Sequence, residues 1–176
     1  SPKDIIKEGV ALITEDRKVT GLNLSGSVND NIAMVAIKKL LSHGLYNKNK
    51  ARAASMEYIK KLNIKTPSGD QITGNLSGGN QQKIVIAKWL LNDPDIIILD
   101  EPTRGIDVGA KRDIYLLLGK LVQQGKAVIM ISSEIPELMG VCDRIMVMCE
   151  GNLSGEVQRD AFSQERIMTL ASAIEV

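Results

Sequence analysis

Residues 76–83 read Leu-Ser-Gly-Gly-Asn-Gln-Gln-Lys, and residues 96–103 read Ile-Ile-Ile-Leu-Asp-Glu-Pro-Thr. In the first stretch Ser77 stands where a helix opens, and Gly78 and Gly79 fill its first turn. Such a start offers free backbone N–H groups and the positive end of the helix dipole, which together favour an anion. The glycines let backbone approach a phosphate with no side chain in the way, and the Ser77 hydroxyl adds a donor. In the second stretch an apolar strand ends in two carboxylates, Asp100 and Glu101. Ligands of parallel α/β sheets lie beyond the carboxyl ends of the strands. An Asp there can hold Mg2+, usually through water, while the next carboxylate polarises an attacking water. Each motif alone also fits a plainer reading: a capped helix with packing glycines, and a carboxylate pair that caps the next turn.

Working outward, the pattern predicts a short helix capped by Ser1 and ending before Gly9, then a strand at 10–13 and a polar loop at 14–22. A helix opens at Ser27, with Ile32, Val35, Ala36 and Leu40 at helical spacing. Another runs over 49–62, with Ala53, Met56, Ile59 and Leu62 on one face. After a loop at 67–75 and the helix from Ser77, the rhythm changes to strand and helix. Strands are expected at 95–99, 127–131 and 144–148, with helices over 110–122 and 134–139 between them. Continuous apolar runs separated by helices predict parallel strands buried on both faces. An edge strand at 152–157 and a helix from Ser163 close the chain.

The 176 residues suffice for one domain with a real core, or a core plus a small subdomain. A net charge of +1 gives no basic excess for a nucleic-acid surface, and 3% aromatic residues give little for stacking bases. No apolar run reaches the roughly 20 residues that cross a bilayer. Cys142 and Cys149 lack metal-ligand spacing and read as buried thiols in a reducing cytoplasm. His43 reads as a surface residue. Nowhere is there a G-x-x-x-x-G-K-[ST] phosphate loop. The chain is therefore expected to be the downstream part of a nucleotide-binding domain, truncated before residue 1; the Ser1-Pro2 start without Met fits an internal boundary.

Taken together, these motifs resemble ATP-binding cassette (ABC) transporter ATPases. The resemblance is to the second, C-terminal cassette of the double-cassette importers for ribose, galactose, xylose and related sugars. LSGGNQQK is more specific than the general signature. Glu15-Asp16-Arg17-Lys18 followed by Gly21-Leu22, and Ser132-Ser133-Glu134 with Asp143-Arg144-Ile145, are similar to that second cassette. The resemblance implies a P-loop NTPase-like α/β fold: a parallel sheet core from 1–23 and 93–176, with an inserted helical subdomain over 24–92.

It also implies roles. Leu76, Ser77, Gly78, Gly79 and Asn80 would form the signature that meets ATP. Asp100 would be the Walker B ligand of Mg2+, Glu101 the catalytic base, and Gly105 to Asp107 the D-loop. Glu15 stands where a glutamine is usual, able to bind metal but repelling phosphate unless shielded. Ser133 stands where a switch histidine is usual and cannot replace its donor-acceptor ring. The implied partners are a first cassette of the same protein, membrane permease subunits, and a sugar-binding protein reached through the permease, with no nucleic acid. The implied location is peripheral, on the cytoplasmic face of the membrane. Two other classes remain: a soluble ABC ATPase of DNA repair or translation, which would carry coiled coils or basic linkers, and a non-catalytic interaction module.

Overall fold

Strands β1 (Val10–Ile13), β4 (Ile96–Asp100) and β5 (Ala127–Ile131) pair in parallel in the order β1-β4-β5. The computed structural model describes residues 2–172 and divides into two units, Ser1–Ile131 and Ser132–Val176. The expected cap at Ser1 lies outside the described residues, as do positions 173–176 of the expected closing helix.

In the first unit, helix α1 (Pro2–Lys7) leads into β1, and α4 (Gly78–Leu90) and α5 (Val108–Gln123) cover the sheet. Ile13, Ile97 and Leu99 are fully buried with Ile84, Ile86 and Ile114 of those helices, all in one cluster. Burial on both faces is not what the structure has. Leu12, Ile129 and Ile131 alternate with the buried set and are 47%, 51% and 49% exposed. The reason is placement: α4 and α5 both pack against the same face, so the other is open among the described residues.

The helical region departs from expectation in its details. Helix α2 (Val28–Ala33) starts at Ser27, whose hydroxyl accepts from the Asp30 N–H at 3.1 Å. It then gives way to a 3-10 turn at Ile37–Leu40 instead of continuing. The Asn92 amide donates to the Val35 carbonyl at 3.1 Å, capturing an acceptor that a longer helix would have used. Ile32, Ala36 and Leu40 are buried all the same. Strands β2 (Leu41–Ser42) and β3 (Leu45–Tyr46) form a small hairpin around exposed His43 and Gly44, at φ 51° and 81°. Two positive φ angles suit a two-residue hairpin turn. Helix α3 (Lys48–Lys61) follows, capped by Asn47. The expected loop at 14–22 contains a π-helical turn at Arg17–Gly21, whose Lys18 and Val19 N–H groups donate to the Asp16 carboxylate at 2.9 and 3.1 Å.

In the second unit, helix α6 (Ile135–Val141) precedes β6 (Arg144–Cys149), β7 (Asn152–Gln158) and helix α7 (Gln164–Ala171). Strand β6, expected to extend the parallel sheet, pairs antiparallel with β7 in its own two-stranded sheet. Only Glu150 and Gly151 separate the two strands, at φ 48° and 80°, and a link that short can join only antiparallel neighbours. Ile145, Val147, Val157 and Ile167 form the core of this unit. Cys142 and Cys149 are free and half-buried, and burial pushes the Cys142 thiol up from its ordinary range.

Two contacts fix α4 against α5. A methyl group at Gly79 would collide with the Ala110 methyl, so the helices meet at a distance no side chain permits. Lys83 of α4 is buried, and its ammonium donates to the Asp113 carboxylate at 2.7 Å and the Asn63 carbonyl at 3.2 Å. The hydrogen bond from Lys83 holds the Asp113 carboxyl below its usual range.

Gly79→Ala should therefore destabilise the protein by about 1–3 kcal/mol, read from the denaturation midpoint. A Gly→Ala change in an open helical position instead stabilises by roughly 0.5–1 kcal/mol, so the sign of the shift decides. Asp113→Asn should cost about 1 kcal/mol at neutral pH, discounted because Asp113 is 47% exposed. A depressed carboxyl contributes stability above its unfolded pKa and loses it as pH falls through its folded value. Acid titration should thus narrow the gap between wild type and variant; a gap unchanged down to full carboxyl protonation would contradict the ion pair.

Candidate nucleotide-facing site

Three segments of the first unit meet around the start of α4. Ser77 is the N-cap residue at φ −62°, ψ 155°, but its side chain makes no cap bond to the helix amides. Its hydroxyl accepts from the Asn80 amide at 2.9 Å, and the Asn80 oxygen accepts from the Lys65 N–H at 2.8 Å. Asn80 thus orients the serine and ties it to the loop after α3. Leu76 is partly buried against the core, and its carbonyl accepts from the Gln81 amide at 3.1 Å. The first-turn N–H groups have no partner within the helix. Backbone free of side chains, with an unclaimed hydroxyl proton at Ser77, fits a phosphate oxygen.

The loop after β4 forms the second segment. Asp100 ends the strand opposite Ile131, and Glu101 follows in the left-handed region at φ 46°, with its N–H donating to the Ile131 carbonyl at 2.9 Å. That conformation is uncommon for a non-glycine residue. It turns the chain tightly, with the Arg104 N–H donating to the Glu101 carbonyl at 3.1 Å. Thr103 is buried beneath this turn. Asp107 then caps α5, accepting from the Ala110 N–H at 2.9 Å.

The third segment is the turn after β1. Glu15 pairs with the Arg104 guanidinium, so the carboxylate expected to approach metal is held by a cation. Arg17 reaches across to the second segment, donating to the Arg104 carbonyl at 2.8 Å and the Gly105 carbonyl at 3.2 Å. Glu15, Asp16, Arg17, Lys18 and Arg104 line a cleft of about 360 Å3. Buried Lys88 of α4 donates to the Gly21 carbonyl at 2.5 Å, anchoring the far end of the turn; desolvation lowers its pKa.

The structure thus brings the residues around Leu76, Ser77, Gly78, Gly79 and Asn80 together with Gly105 and Asp107, and joins Glu15 to them through Arg104. Asp100 and Glu101 stand at the carboxyl end of β4, as their motif predicts. Ser133 belongs to the second unit, where the neighbouring Ser132 hydroxyl accepts from the Glu134 N–H at 3.0 Å at the head of α6. Among the described residues no group of three or more His, Cys, Asp or Glu side chains could hold a metal by itself. A Mg2+ ion needs no such cage, since one or two carboxylates plus phosphate oxygens and waters suffice. Arg17 lies in the Glu15-Asp16-Arg17-Lys18 motif, but neither its contacts nor those of Arg104 were legible there, because their targets are each other's segments and not a ligand.

Residues 4–104 match the family model described as ABC transporter. The chain is 55% identical over 174 residues to the ribose import ATP-binding protein RbsA of Clostridium tetani, covering 98% of this chain and 34% of that protein. It is 51% identical over 172 residues to the xylose import ATP-binding protein XylG of Thermoanaerobacter pseudethanolicus, again covering 98% and 34%. The chain spans about a third of the length of the curated relatives it matches. Among solved structures, it is similar to an ATP-binding cassette dimer in a post-hydrolysis state bound to ADP and Pi. That match has a TM-score of 0.73 and 25% identity over 90% of this chain and 67% of the other. With its parallel sheet, LSGGN helix start and strand-ending Asp-Glu pair, the chain belongs to the ABC transporter family of ATP-binding proteins.

Proposed function

We propose that this chain is part of the ATP-hydrolysing subunit of an ABC importer for simple sugars, and that its LSGGN segment completes the ATP site of a partner cassette. The observation that carries this reading is the uncapped start of α4, backed by 55% identity to a ribose import ATP-binding protein across nearly the whole chain. The partner is a first cassette of the same protein, whose phosphate loop would grip the ATP that Ser77, Gly78 and Gly79 face. Residues 24–92 act as the helical subdomain that meets the permease, with a sugar-binding protein delivering substrate on its far side. Among the described residues no helix is long and apolar enough to cross a membrane, which suits a subunit peripheral to the cytoplasmic face.

Within its own site Asp100 would hold Mg2+ and Glu101 would take the proton from the attacking water. The departures at Glu15 and Ser133 point to slow turnover there. Glu15 brings a negative charge that Arg104 shields, and Ser133 lacks the ring that would hold the γ-phosphate and the water in line. The two sites of the assembly then differ: one hydrolyses rapidly, while the other holds nucleotide and keeps the cassettes together.

In the full-length protein assembled with its permease, Glu101→Gln should lower steady-state hydrolysis far less than the matching change in the first cassette. Removing a general base costs a factor of about 10² to 10⁴, so the outcomes separate cleanly. Loss of nearly all hydrolysis with Glu101→Gln would contradict the asymmetry.

A further inference from the structure

Arg17 occupies the junction of all three segments. Nη1 and Nη2 each donate to one of two consecutive carbonyls, Arg104 at 2.8 Å and Gly105 at 3.2 Å. Nη2 also stands 2.8 Å from where a Cβ at Gly78 would be, with the Gly105 carbonyl 3.2 Å from that point. The space left by the missing side chain of Gly78 is therefore taken by the guanidinium and by the loop it grips. Arg17 has a fixed origin: Asp16 caps its turn, and Lys88 fastens the other end at Gly21. A planar fork with several donors suits two adjacent carbonyls, whereas a lysine ammonium is a single point charge on a flexible stem.

We propose that Arg17 is a positioning residue for hydrolysis: it sets the register between the backbone of Gly78 and the loop at 104–107. Through the Glu15–Arg104 ion pair beside it, the turn after β1, the signature and the loop before α5 move as one body. The inference rests on the reading of LSGGN as a signature that meets a partner's ATP. Transition-state geometry tolerates little misplacement, and an error of about 1 Å costs up to about a hundredfold in rate. The contribution of Arg17 therefore falls on the step after nucleotide has bound, when the signature closes on the phosphate.

The test compares Arg17→Met, Arg17→Lys and Ser77→Arg in the full-length protein assembled with its permease, measuring kcat and KM for ATP hydrolysis. Arg17→Met should lower kcat about ten- to a hundredfold and leave KM within about twofold, because the phosphate loop that captures ATP is untouched. Arg17→Lys should recover little of the loss, since one ammonium cannot replace the fork. Should Arg17→Met fail to fold, Arg17→Lys keeps charge and stem and decides the matter alone. Wild-type kcat in Arg17→Lys, or a kcat within about twofold of wild type in Arg17→Met, overturns the proposal. A change confined to KM overturns it too. Ser77→Arg separates the two readings. If it abolishes hydrolysis while the Arg17 variants remain active, only the role of Arg17 falls; if it leaves hydrolysis near normal, the signature reading falls and this inference with it.

Discussion

The backbone of α4 meets the start of α5 with no room for a β-carbon at Gly79, where one would overlap the Ala110 methyl. The arrangement around the start of α4 follows from that approach. It places Asp107, the cap of α5, beside the first turn of α4, and it brings the loop that precedes α5 against Gly78. The interior then locks the pair in place through buried Lys83 and its bond to Asp113, and through the shared cluster of Ile84, Ile86, Ile114 and Leu118. The two glycines carry two duties that a motif alone does not separate. Gly79 is explained by helix packing before any ligand is invoked, whereas the bare backbone at Gly78 makes room for Arg17 and the Gly105 carbonyl and, in the proposed reading, would also meet a phosphate.

Charge at this end is arranged by segment. Glu15 is exposed and lies against the Arg104 guanidinium, which offsets its charge. Arg17 directs Nη1 and Nη2 at two consecutive backbone carbonyls, which ties the turn after β1 to the loop at 104–107, while its buried Nε has no hydrogen-bond partner. In the proposed reading an anion would meet the peptide groups at the start of α4, which carry no side-chain freedom to lose. A surface built of backbone is preorganised, which is what the proposed contact with a partner cassette's nucleotide would require.

Much of the core was legible because its periodicity is strong. The apolar runs at β1, β4 and β5 and the helices α3, α4 and α5 stand within a residue or two of where their patterns put them. The run at 144–149 misled because an apolar strand reads the same whether its neighbour is parallel or antiparallel. The decisive signal was the two-residue link Glu150-Gly151. The open face of the sheet was hidden for a similar reason: Ile96 to Leu99 of β4, and Val128 and Met130 opposite Ile129 and Ile131 of β5, record two apolar faces, not which of them this chain covers. The helix start at Ser77 and the strand end at Asp100 stand where the sequence pattern put them, while the roles proposed for those residues rest on the family resemblance. The Arg17 fork was not legible, because its acceptors are main-chain carbonyls 87 and 88 positions away and any residue there supplies one. Glu101 was legible as a carboxylate, but its left-handed backbone was not.

The central claim is that the start of α4 faces ATP held by another cassette. Disulfide trapping tests it directly, in full-length protein with Cys142 and Cys149 replaced, one cysteine at Ser77 and another beside the phosphate loop of the first cassette. The account predicts a cross-link that forms with Mg-ATP under conditions that block hydrolysis and is lost without nucleotide. A protein that still hydrolyses ATP with its permease yet shows no nucleotide-dependent cross-link between these positions would contradict it.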